Sequence, residues 1–302
     1  MAASARSPAR APKRGKRNFV IDTHCHVQFK AFAKDSDEVI KRCAEKGVVL
    51  NVVGTQKDTS AMAVKFAEKY DNIFATVGLH PIHTCSTEVD EEEITFKSRE
   101  EEFDYEYYKK LASHPKVIAI GECGLELFHL PKKIDKDDCL KTQKKNFIAQ
   151  IDLARELDLP LVIHVRDAYE ETLSVIANEV KQSHPLKGVI HCYSSDWPTA
   201  QKFLNLGFYI GFTSIITFPP RKTNPKPDFD LVEVVKNCPL DKILIETDAP
   251  YLAPQAYRGK RCEPWMVEEV AKKIAEIKGL SFKEVVEISE NNAKKLFNKL
   301  KS

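Results

Sequence analysis

The 302-residue sequence lacks the long apolar run that a membrane-spanning helix requires. It also lacks, near its start, the apolar segment of a secretory signal peptide. Its eight cysteines are scattered, and no Cys-x-x-Cys pair occurs. In a chain of this length, that pattern favours reduced thiols and an intracellular location, in the cytoplasm or the nucleus. No association with a membrane is expected.

Acidic residues are absent from the first 17 residues, which hold six of the 46 arginines and lysines. The Ala/Ser/Pro/Arg-rich composition predicts a disordered basic tail over residues 1–17. Three roles stay open for it: a mitochondrial transit peptide, a nuclear signal or nucleic-acid arm, and a solvated segment without an address. Residues 18–302 keep 40 basic and 44 acidic residues, so their net charge of −4 gives no general affinity for nucleic acid.

Short apolar runs alternate with longer amphipathic segments from residue 18 onward. Eight runs rich in Val, Ile and Leu predict parallel strands at 19–25, 48–55, 73–80, 117–124, 161–166, 188–193, 208–213 and 243–248. Helical periodicity predicts helices at 35–46, 58–70, 103–113, 138–157, 169–180, 196–206, 229–236 and 264–278, and a last one at 281–300. The acidic stretch 88–106 is predicted to be a lengthened surface loop.

This alternation indicates the α/β class and a (β/α)₈ TIM barrel with an extra C-terminal helix. An open doubly wound sheet is the rival, because the number of strands does not show whether the sheet closes. No linker or change of composition divides residues 18–302, so a single domain is predicted there.

The sequence Asp22-Thr23-His24-Cys25-His26 closes the first predicted strand. Because side chains alternate between the faces of a strand, His24 and His26 point to one side, where they could bind a divalent metal. Asp22 shares that face and is predicted to accept a hydrogen bond from an imidazole N–H. The alternation also predicts that three cysteines are small buried fillers turned toward the helices: Cys25, Cys123 and Cys192.

Four further polar residues end other predicted strands: Glu122, His164, His191 and Asp248. All lie at the C-terminal face, where barrel active sites are built. Grouping four histidines and two carboxylates there without a metal would leave charges and lone pairs uncompensated. A carboxylate can bridge two ions about 3.5–4 Å apart, which makes Glu122 a candidate shared ligand. The mixed ligands predict two divalent ions and leave Mg²⁺, Mn²⁺ and Zn²⁺ open.

Seven motifs span the predicted barrel: Asp22-Thr23-His24-Cys25-His26, Gly78-Leu79-His80-Pro81, Gly121-Glu122-Cys123-Gly124-Leu125, Ile163-His164-Val165-Arg166-Asp167, Val189-Ile190-His191-Cys192, Glu246-Thr247-Asp248-Ala249-Pro250 and Glu263-Pro264. In this order they resemble the TatD family of metal-dependent deoxyribonucleases, within the amidohydrolase-type metallo-hydrolase barrels. Two positions depart from the family pattern: Glu126 replaces the aspartate of Gly-Leu-Asp, and Cys262 replaces the asparagine of Arg-Asn-Glu-Pro. Both put substrate fit in question more than metal binding.

The resemblance implies the roles of the site residues. One metal would be held by His24, His26, Glu122 and Asp248, and a second by Glu122, His164 and His191. Glu122 and Asp248 would be the catalytic residues, the first as the bridging ligand and the second by orienting or deprotonating the attacking water. The implied reaction is hydrolysis of DNA phosphodiesters by a 3′–5′ exonuclease. His80 resembles a family histidine near the scissile phosphate.

Substrate binding to a net acidic domain requires local positive charge. Arg166 shares the face of His164 and could grip a phosphate, with a salt bridge to a neighbouring acid as the alternative. Two basic loops are expected at the barrel mouth, 221–226 and a second one that carries Arg258, Lys260 and Arg261. The alternative for both is an ordinary solvated loop. Tyr251 lies near enough in sequence to stack on a base.

Two other functions fit the same residues. A binuclear metallo-hydrolase of the amidohydrolase type could act on an amide, lactone or other ester, and a non-catalytic protein could hold a structural metal. The number of ligands expected at the open mouth argues against the second. DNA is the expected substrate, with no obligate protein partner and a monomeric state.

Overall fold

The computed structural model describes residues 19–85, 88–91, 94–97, 100–130, 134–180, 185–219 and 230–301. The predicted tail at 1–17 and the predicted basic loop at 221–226 therefore lie outside the described residues. Across the described ranges, no helix is both long enough and apolar enough to cross a bilayer.

The described chain contains ten strands, of which eight build one parallel sheet. They are β1 (Val20–Cys25), β2 (Val48–Val53), β3 (Ile73–Val77), β4 (Glu88–Glu91), β5 (Ile94–Lys97), β6 (Val117–Glu126), β7 (Leu161–Arg166), β8 (Gly188–Ile190), β9 (Tyr209–Phe212) and β10 (Ile243–Ile245). The large sheet has the order β1-β2-β3-β6-β7-β8-β9-β10, so each strand pairs with the next parallel strand along the chain. This order is the one that right-handed βα connections produce in a barrel.

Nine α-helices are present in the described residues, and each of the nine predicted helices corresponds to one of them. They are α1 (Ser36–Glu45), α2 (Lys57–Lys69), α3 (Tyr105–Ala112), α4 (Lys136–Glu156), α5 (Tyr169–Val180), α6 (Trp197–Asn205), α7 (Leu231–Asn237), α8 (Val267–Lys278) and α9 (Phe282–Leu296).

Backbone hydrogen bonds join the first and last strands of the sheet. The amide of His26 donates to the carbonyl oxygen of Ala249 (2.7 Å), and the amide of Asp248 donates to that of His24 (2.9 Å). These bonds link the end of β1 to the segment that follows β10. The sheet is therefore a barrel, which confirms the TIM-barrel prediction and excludes the open doubly wound sheet.

An apolar cluster closes the N-terminal end of the barrel, which we call the floor. Inward-facing residues from five strands meet residues at the end of α9, at its C-cap and in the short 3₁₀ helix Asn298–Lys301: Ile21, Ile118, Val162, Val189, Leu244, Leu296, Phe297 and Leu300. α9 starts with a capping box, in which Ser281 and Glu284 each accept the other's backbone N–H (3.2 and 2.8 Å). The extra C-terminal helix thus seals the barrel from below.

Two predictions about local structure were wrong. The acidic stretch 88–106 is not only a loop, because β4 and β5 form an antiparallel hairpin within it and α3 begins at its end. Strands β3, β8 and β10 end about three residues earlier than predicted. As a result, His80, His191 and Asp248 lie on the loops that follow these strands.

Candidate metal centre

Two histidines and an aspartate meet at the C-terminal end of the barrel, which we call the mouth. His24 lies near the end of β1 and His26 directly follows it; their Nε2 atoms are 3.2 Å apart. The Oδ1 atom of Asp248 lies 3.8 Å from the first of these nitrogens and 3.3 Å from the second. Both imidazoles are buried, so two nitrogen atoms face each other and a carboxylate away from bulk water. A cation would satisfy all three atoms.

Glu122, in the middle of β6, extends this group across the mouth. Its Oε2 atom is 3.4 Å from Nε2 of His24 and 3.8 Å from Nε2 of His26. Its Oε1 atom faces three other imidazoles: Nδ1 of His164 at 3.2 Å, Nε2 of His80 at 3.4 Å and Nε2 of His191 at 3.9 Å. The two oxygens of one carboxylate thus face two sets of nitrogen atoms, as a ligand shared by two ions must.

The glycines around Glu122 allow this placement. At Gly121 (φ +152°), a Cβ atom would lie 2.5 Å from the carbonyl oxygen of Val162, and at Gly124 (φ +135°) it would lie 2.1 Å from that of His164. Any larger residue would push β6 away from β7, where the register already shifts between Gly121 and Cys123. The Gly-Glu-Cys-Gly sequence therefore brings the Glu122 carboxylate close to the end of β7.

The atoms that could bind a metal fall into four overlapping groups within the described residues. In each group the candidate ligand atoms lie within 4.8 Å of one another: His24, His26 and Asp248; His24, Glu122 and His191; His80, Glu122 and His164; His191, Cys192 and Asp248. All six predicted ligands are therefore brought together at the mouth. His80 was predicted only to lie near the scissile phosphate. Its Nε2 atom is 3.4 Å from Oε1 of Glu122, almost as close as Nδ1 of His164 at 3.2 Å.

Buried acceptors orient the imidazoles of His191 and His26. Nδ1 of His191 donates to Oε2 of Glu246 (2.7 Å), which also accepts the amide of Cys192 (3.0 Å). Nδ1 of His26 donates to the carbonyl oxygen of Val53 (2.7 Å). These bonds leave the Nε2 atom of each ring facing the centre, as a metal ligand requires. The sequence did not predict a role for Glu246, although a glutamate that directly follows an apolar strand is a signal that it is buried with a partner.

The imidazole of His164 is likewise oriented by a buried carboxylate, that of Glu126, which replaces the aspartate of the family pattern. Its Nε2 atom lies 3.0 Å from Oε2 of Glu126, at the end of β6. The other oxygen of this buried carboxylate accepts the amides of Phe128 (2.7 Å) and His129 (3.0 Å). The longer glutamate therefore orients the imidazole from the far side, and its contact with His164 leaves Nδ1 facing Glu122.

The prediction for Asp22 was wrong. Its carboxylate accepts the amide (2.9 Å) and hydroxyl (2.6 Å) of Thr247 and the amide of His24 (3.3 Å), and among the described residues it bonds no imidazole. It lies one step deeper in the barrel, where the backbone beside Asp248 approaches β1. Asp22 therefore positions the loop that carries Asp248. Nδ1 of His24 is buried without a hydrogen-bond partner in the described structure.

The histidines and carboxylates at the mouth shift one another's pKa values. Burial lowers the pKa of His24 to about 4. Burial opposes a charge on His191 as well, but Glu246 raises its pKa to about 9. Burial also disfavours the ionised carboxylate of Glu122, yet His80 and His24 hold its pKa well below the usual range. The buried carboxylate of Glu122 therefore remains anionic, and a buried anion is stable only when it is paired or coordinates a metal. The donor set fits a metal centre.

Of the arginines predicted to bind substrate, two lie over aromatic rings and one is bonded to a carboxylate. The guanidinium of Arg166 lies 4.0 Å above the ring of Phe128, and that of Arg258 lies 4.7 Å from the ring of Phe218. Arg261 instead binds Asp35 through two hydrogen bonds (2.8 and 2.6 Å), which favours a structural role. Lys260 is exposed on the same loop. The ring of Tyr251 lies 6.3 Å from that of His26, at the edge of the centre.

The three cysteines predicted to be fillers do not behave alike. Cys25 and Cys123 are fully buried, and their thiols face the carbonyl oxygens of Asn51 (3.5 Å) and Val162 (3.6 Å). Cys192 contradicts the prediction, because its sulfur lies within 4.8 Å of candidate ligand atoms of His191 and Asp248. The reason is local: β8 ends at Ile190 and Cys192 has a φ of +45°, so the alternation of an extended strand no longer applies.

A barrel of this topology with clustered histidine and carboxylate ligands at its mouth defines a metal-dependent hydrolase. Comparison with known proteins identifies the family: the model for TatD related DNase matches residues 21–298, and the chain belongs to this family. The chain is 39% identical to YabD, an uncharacterized metal-dependent hydrolase of Bacillus subtilis, over 92% of this chain and 98% of that protein. It is 30% identical to the 3′-5′ ssDNA/RNA exonuclease TatD of Shigella flexneri, over 92% and 98% of the two chains.

A solved structure has the same fold. The TatD homologue YjjV of Escherichia coli superposes with a TM-score of 0.75 at 27% sequence identity, covering 92% of this chain and 98% of that one.

Proposed function

We propose that this protein is a deoxyribonuclease that hydrolyses DNA phosphodiester bonds as a 3′–5′ exonuclease with two divalent ions, Mg²⁺, Mn²⁺ or Zn²⁺. The observation that carries the proposal is the position of Glu122. Its two carboxylate oxygens face two different sets of imidazole nitrogens, all between 3.2 and 3.9 Å away. A single structural ion would need only one such set.

The ligands divide between the two sides of Glu122. His24, His26 and Asp248 would hold one ion with it, and His164 and His191 would hold the second. When bound, the ions would polarise the phosphodiester and lower the pKa of the attacking water. Glu246 and Glu126 would keep the imidazoles of His191 and His164 in the orientation that binding requires.

Asp248 is suited to take the proton of the attacking water. The side chain of Asp248 is 18% exposed to solvent, whereas that of Glu122 is 5% exposed. Asp248 therefore faces the entrance of the site. Burial disfavours its ionised form, but the nearby His26 and His191 lower its pKa below the usual value. The carboxylate is therefore ionised near neutral pH and able to accept a proton from water.

Aromatic rings paired with cations at the mouth support a nucleic-acid substrate. Phe128 is 54% exposed beneath Arg166, and Arg258 lies over Phe218. An exposed ring can stack on a base while the adjacent guanidinium contacts a phosphate. The named relative from Shigella flexneri, a 3′-5′ exonuclease on single-stranded DNA and RNA, supports the same class of substrate.

The test uses full-length protein stripped with EDTA and then supplied separately with Mg²⁺, Mn²⁺ or Zn²⁺. The substrates are 3′- and 5′-labelled single-stranded DNA, duplex DNA and single-stranded RNA. We expect metal-dependent release of mononucleotides from the 3′ end, so the 5′-labelled strand shortens stepwise. Absence of cleavage with every metal would overturn the nuclease proposal, and turnover of an amide or lactone panel instead would establish the other hydrolase activity.

A further inference from the structure

Two thiols that are far apart in sequence meet beside the mouth. The sulfur of Cys139, in the first turn of α4, lies 2.8 Å from that of Cys85 and donates a hydrogen bond to it. Cys85 follows the 3₁₀ helix Pro81–His83, which begins directly after His80. Both residues are present as thiols. A disulfide bond is about 2.05 Å long, so the two sulfurs need to approach by less than about 1 Å to form one.

The surroundings of the two thiols make them chemically unequal. The hydrogen bond from Cys139 lowers the pKa of Cys85 to about 7, and it raises the pKa of Cys139. Cys85 is also 6% exposed, whereas Cys139 is 1% exposed. Cys85 is thus the thiol that ionises near neutral pH and that an oxidant reaches first, while Cys139 keeps its proton beside it. This is the arrangement of an attacking and a resolving cysteine.

Four other buried thiols in the described part of the chain lack this arrangement. Cys25, Cys123 and Cys238 each donate to a backbone carbonyl oxygen at 3.5 to 3.7 Å. Burial raises the pKa of Cys43 and Cys238 to about 12. Such thiols stay protonated and react slowly with oxidants. These thiols therefore serve as internal controls for the reactivity of Cys85 and Cys139.

We propose that Cys85 and Cys139 form an oxidation site at which a peroxide converts two thiols into a disulfide. The Cys85 thiolate attacks one peroxide oxygen and breaks the O–O bond, which gives a sulfenic acid and releases hydroxide. The sulfur of Cys139 then attacks that of Cys85, forms the S–S bond and displaces the sulfenic oxygen as water. Two thiols and hydrogen peroxide thus become one disulfide and two waters, with two electrons passing from sulfur to oxygen. A dithiol reductant reverses the bond by exchange.

The disulfide would brace two segments that support the metal centre. The side chain of Gln143, one turn after Cys139 on α4, contacts the Cys139 sulfur (3.6 Å) and bonds both the amide (2.9 Å) and carbonyl (2.8 Å) of Glu126. Glu126 in turn holds His164. The new bond would therefore tie the segment that starts at His80 to the helix that supports His164, whatever the substrate of the enzyme is.

The experiment treats fully reduced, full-length protein with stoichiometric hydrogen peroxide, alkylates the remaining thiols under denaturing conditions and counts them by mass spectrometry. The protein has eight cysteines. We expect the wild type to lose two thiols, to yield a peptide linked between positions 85 and 139, and to regain both thiols with dithiothreitol. Cys43→Ser, the matched control, should also lose two.

The two variants of the pair separate the roles of the thiols. Cys139→Ser should stop at a sulfenic acid on Cys85, which a dimedone probe labels, and Cys85→Ser should lose no thiol under the same conditions. The proposal is overturned when the wild type keeps all thiols, or loses them without the linked peptide. Because the wild-type measurement needs no substitution, poor folding of either variant leaves the test intact.

Discussion

The mouth and the floor of the barrel both bury side chains, but side chains of opposite kinds. At the mouth, His24, Glu122 and His191 are buried together with charges that need a partner. At the floor, residues such as Val162 and Phe297 are buried in a purely apolar cluster. Burial of apolar side chains stabilises the fold, whereas burial of carboxylates opposes folding unless a partner compensates.

The same strands contribute to both ends. In β6, Ile118 belongs to the floor and Glu122 to the mouth; in β7, Val162 belongs to the floor and His164 to the mouth. Two to four residues along a strand therefore separate a side chain that stabilises the barrel from one that serves its chemistry, as expected for this fold. Substitutions at the two ends should have opposite consequences.

The largest effect on activity is expected for Glu122→Gln, which keeps the shape of the side chain but removes the charge shared by both sets of nitrogens. The loss of kcat/KM should exceed the roughly 10–100-fold loss that follows removal of an outer-shell partner of a metal ligand. The urea midpoint of the metal-free protein should stay near that of the wild type. Near-normal turnover in this variant would contradict the bridging role.

The converse is expected for Phe297→Ala at the floor. This residue is fully buried below the barrel, so truncation should lower the free energy of unfolding by about 3–5 kcal/mol. Denaturant unfolding measures this loss. The kcat/KM of the molecules that remain folded should change little, because the residue lies at the other end from the metal centre. A large loss of activity without loss of stability would show that the two ends are not separable.

An intermediate effect is expected for Glu246→Gln, which keeps an acceptor for His191 but removes its charge. Metal affinity should fall by about 10–100-fold, as for other outer-shell partners of ligating histidines. Titration of the stripped protein with Mn²⁺ or Zn²⁺ by calorimetry provides the measurement. Stability should change less than in Phe297→Ala. Unchanged affinity would mean that His191 does not ligate a metal.

The sequence predicted the barrel because its signals are local. Parallel strands buried on both faces leave continuous apolar runs, and each helix has its own periodicity, so both can be recognised without tertiary contacts. Closure of the sheet could not be predicted in the same way. It depends on bonds such as that from the Asp248 amide to His24, between residues more than 200 positions apart.

The identity of the residues at the mouth was easier to predict than their grouping. Alternation indicates the face of a side chain only while the chain is extended, and it fails at Cys192 and Asp248, which have positive φ values. The hydrogen bonds that support the ligands and their loops could not be predicted from the sequence either. Glu246 meets His191 across 55 residues, and Asp22 meets Thr247 across 225, so no spacing in the sequence reveals them.

The smallest effect is expected at the rim of the mouth, where Arg166 and Arg261 differ in their contacts. Arg166 lies over the exposed ring of Phe128, whereas Arg261 is held by the carboxylate of Asp35. If Arg166 contacts one phosphate of single-stranded DNA, Arg166→Gln should reduce the slope of log affinity against log salt by about 0.7. Arg261→Gln should leave that slope unchanged. Affinity is measured with labelled DNA in Ca²⁺ or on a Glu122→Gln background to prevent cleavage. If both variants and the wild type have equal slopes, the phosphate contacts lie elsewhere on the mouth. That result would not change the assignment of the metal centre, nor the contrast between a polar mouth and an apolar floor.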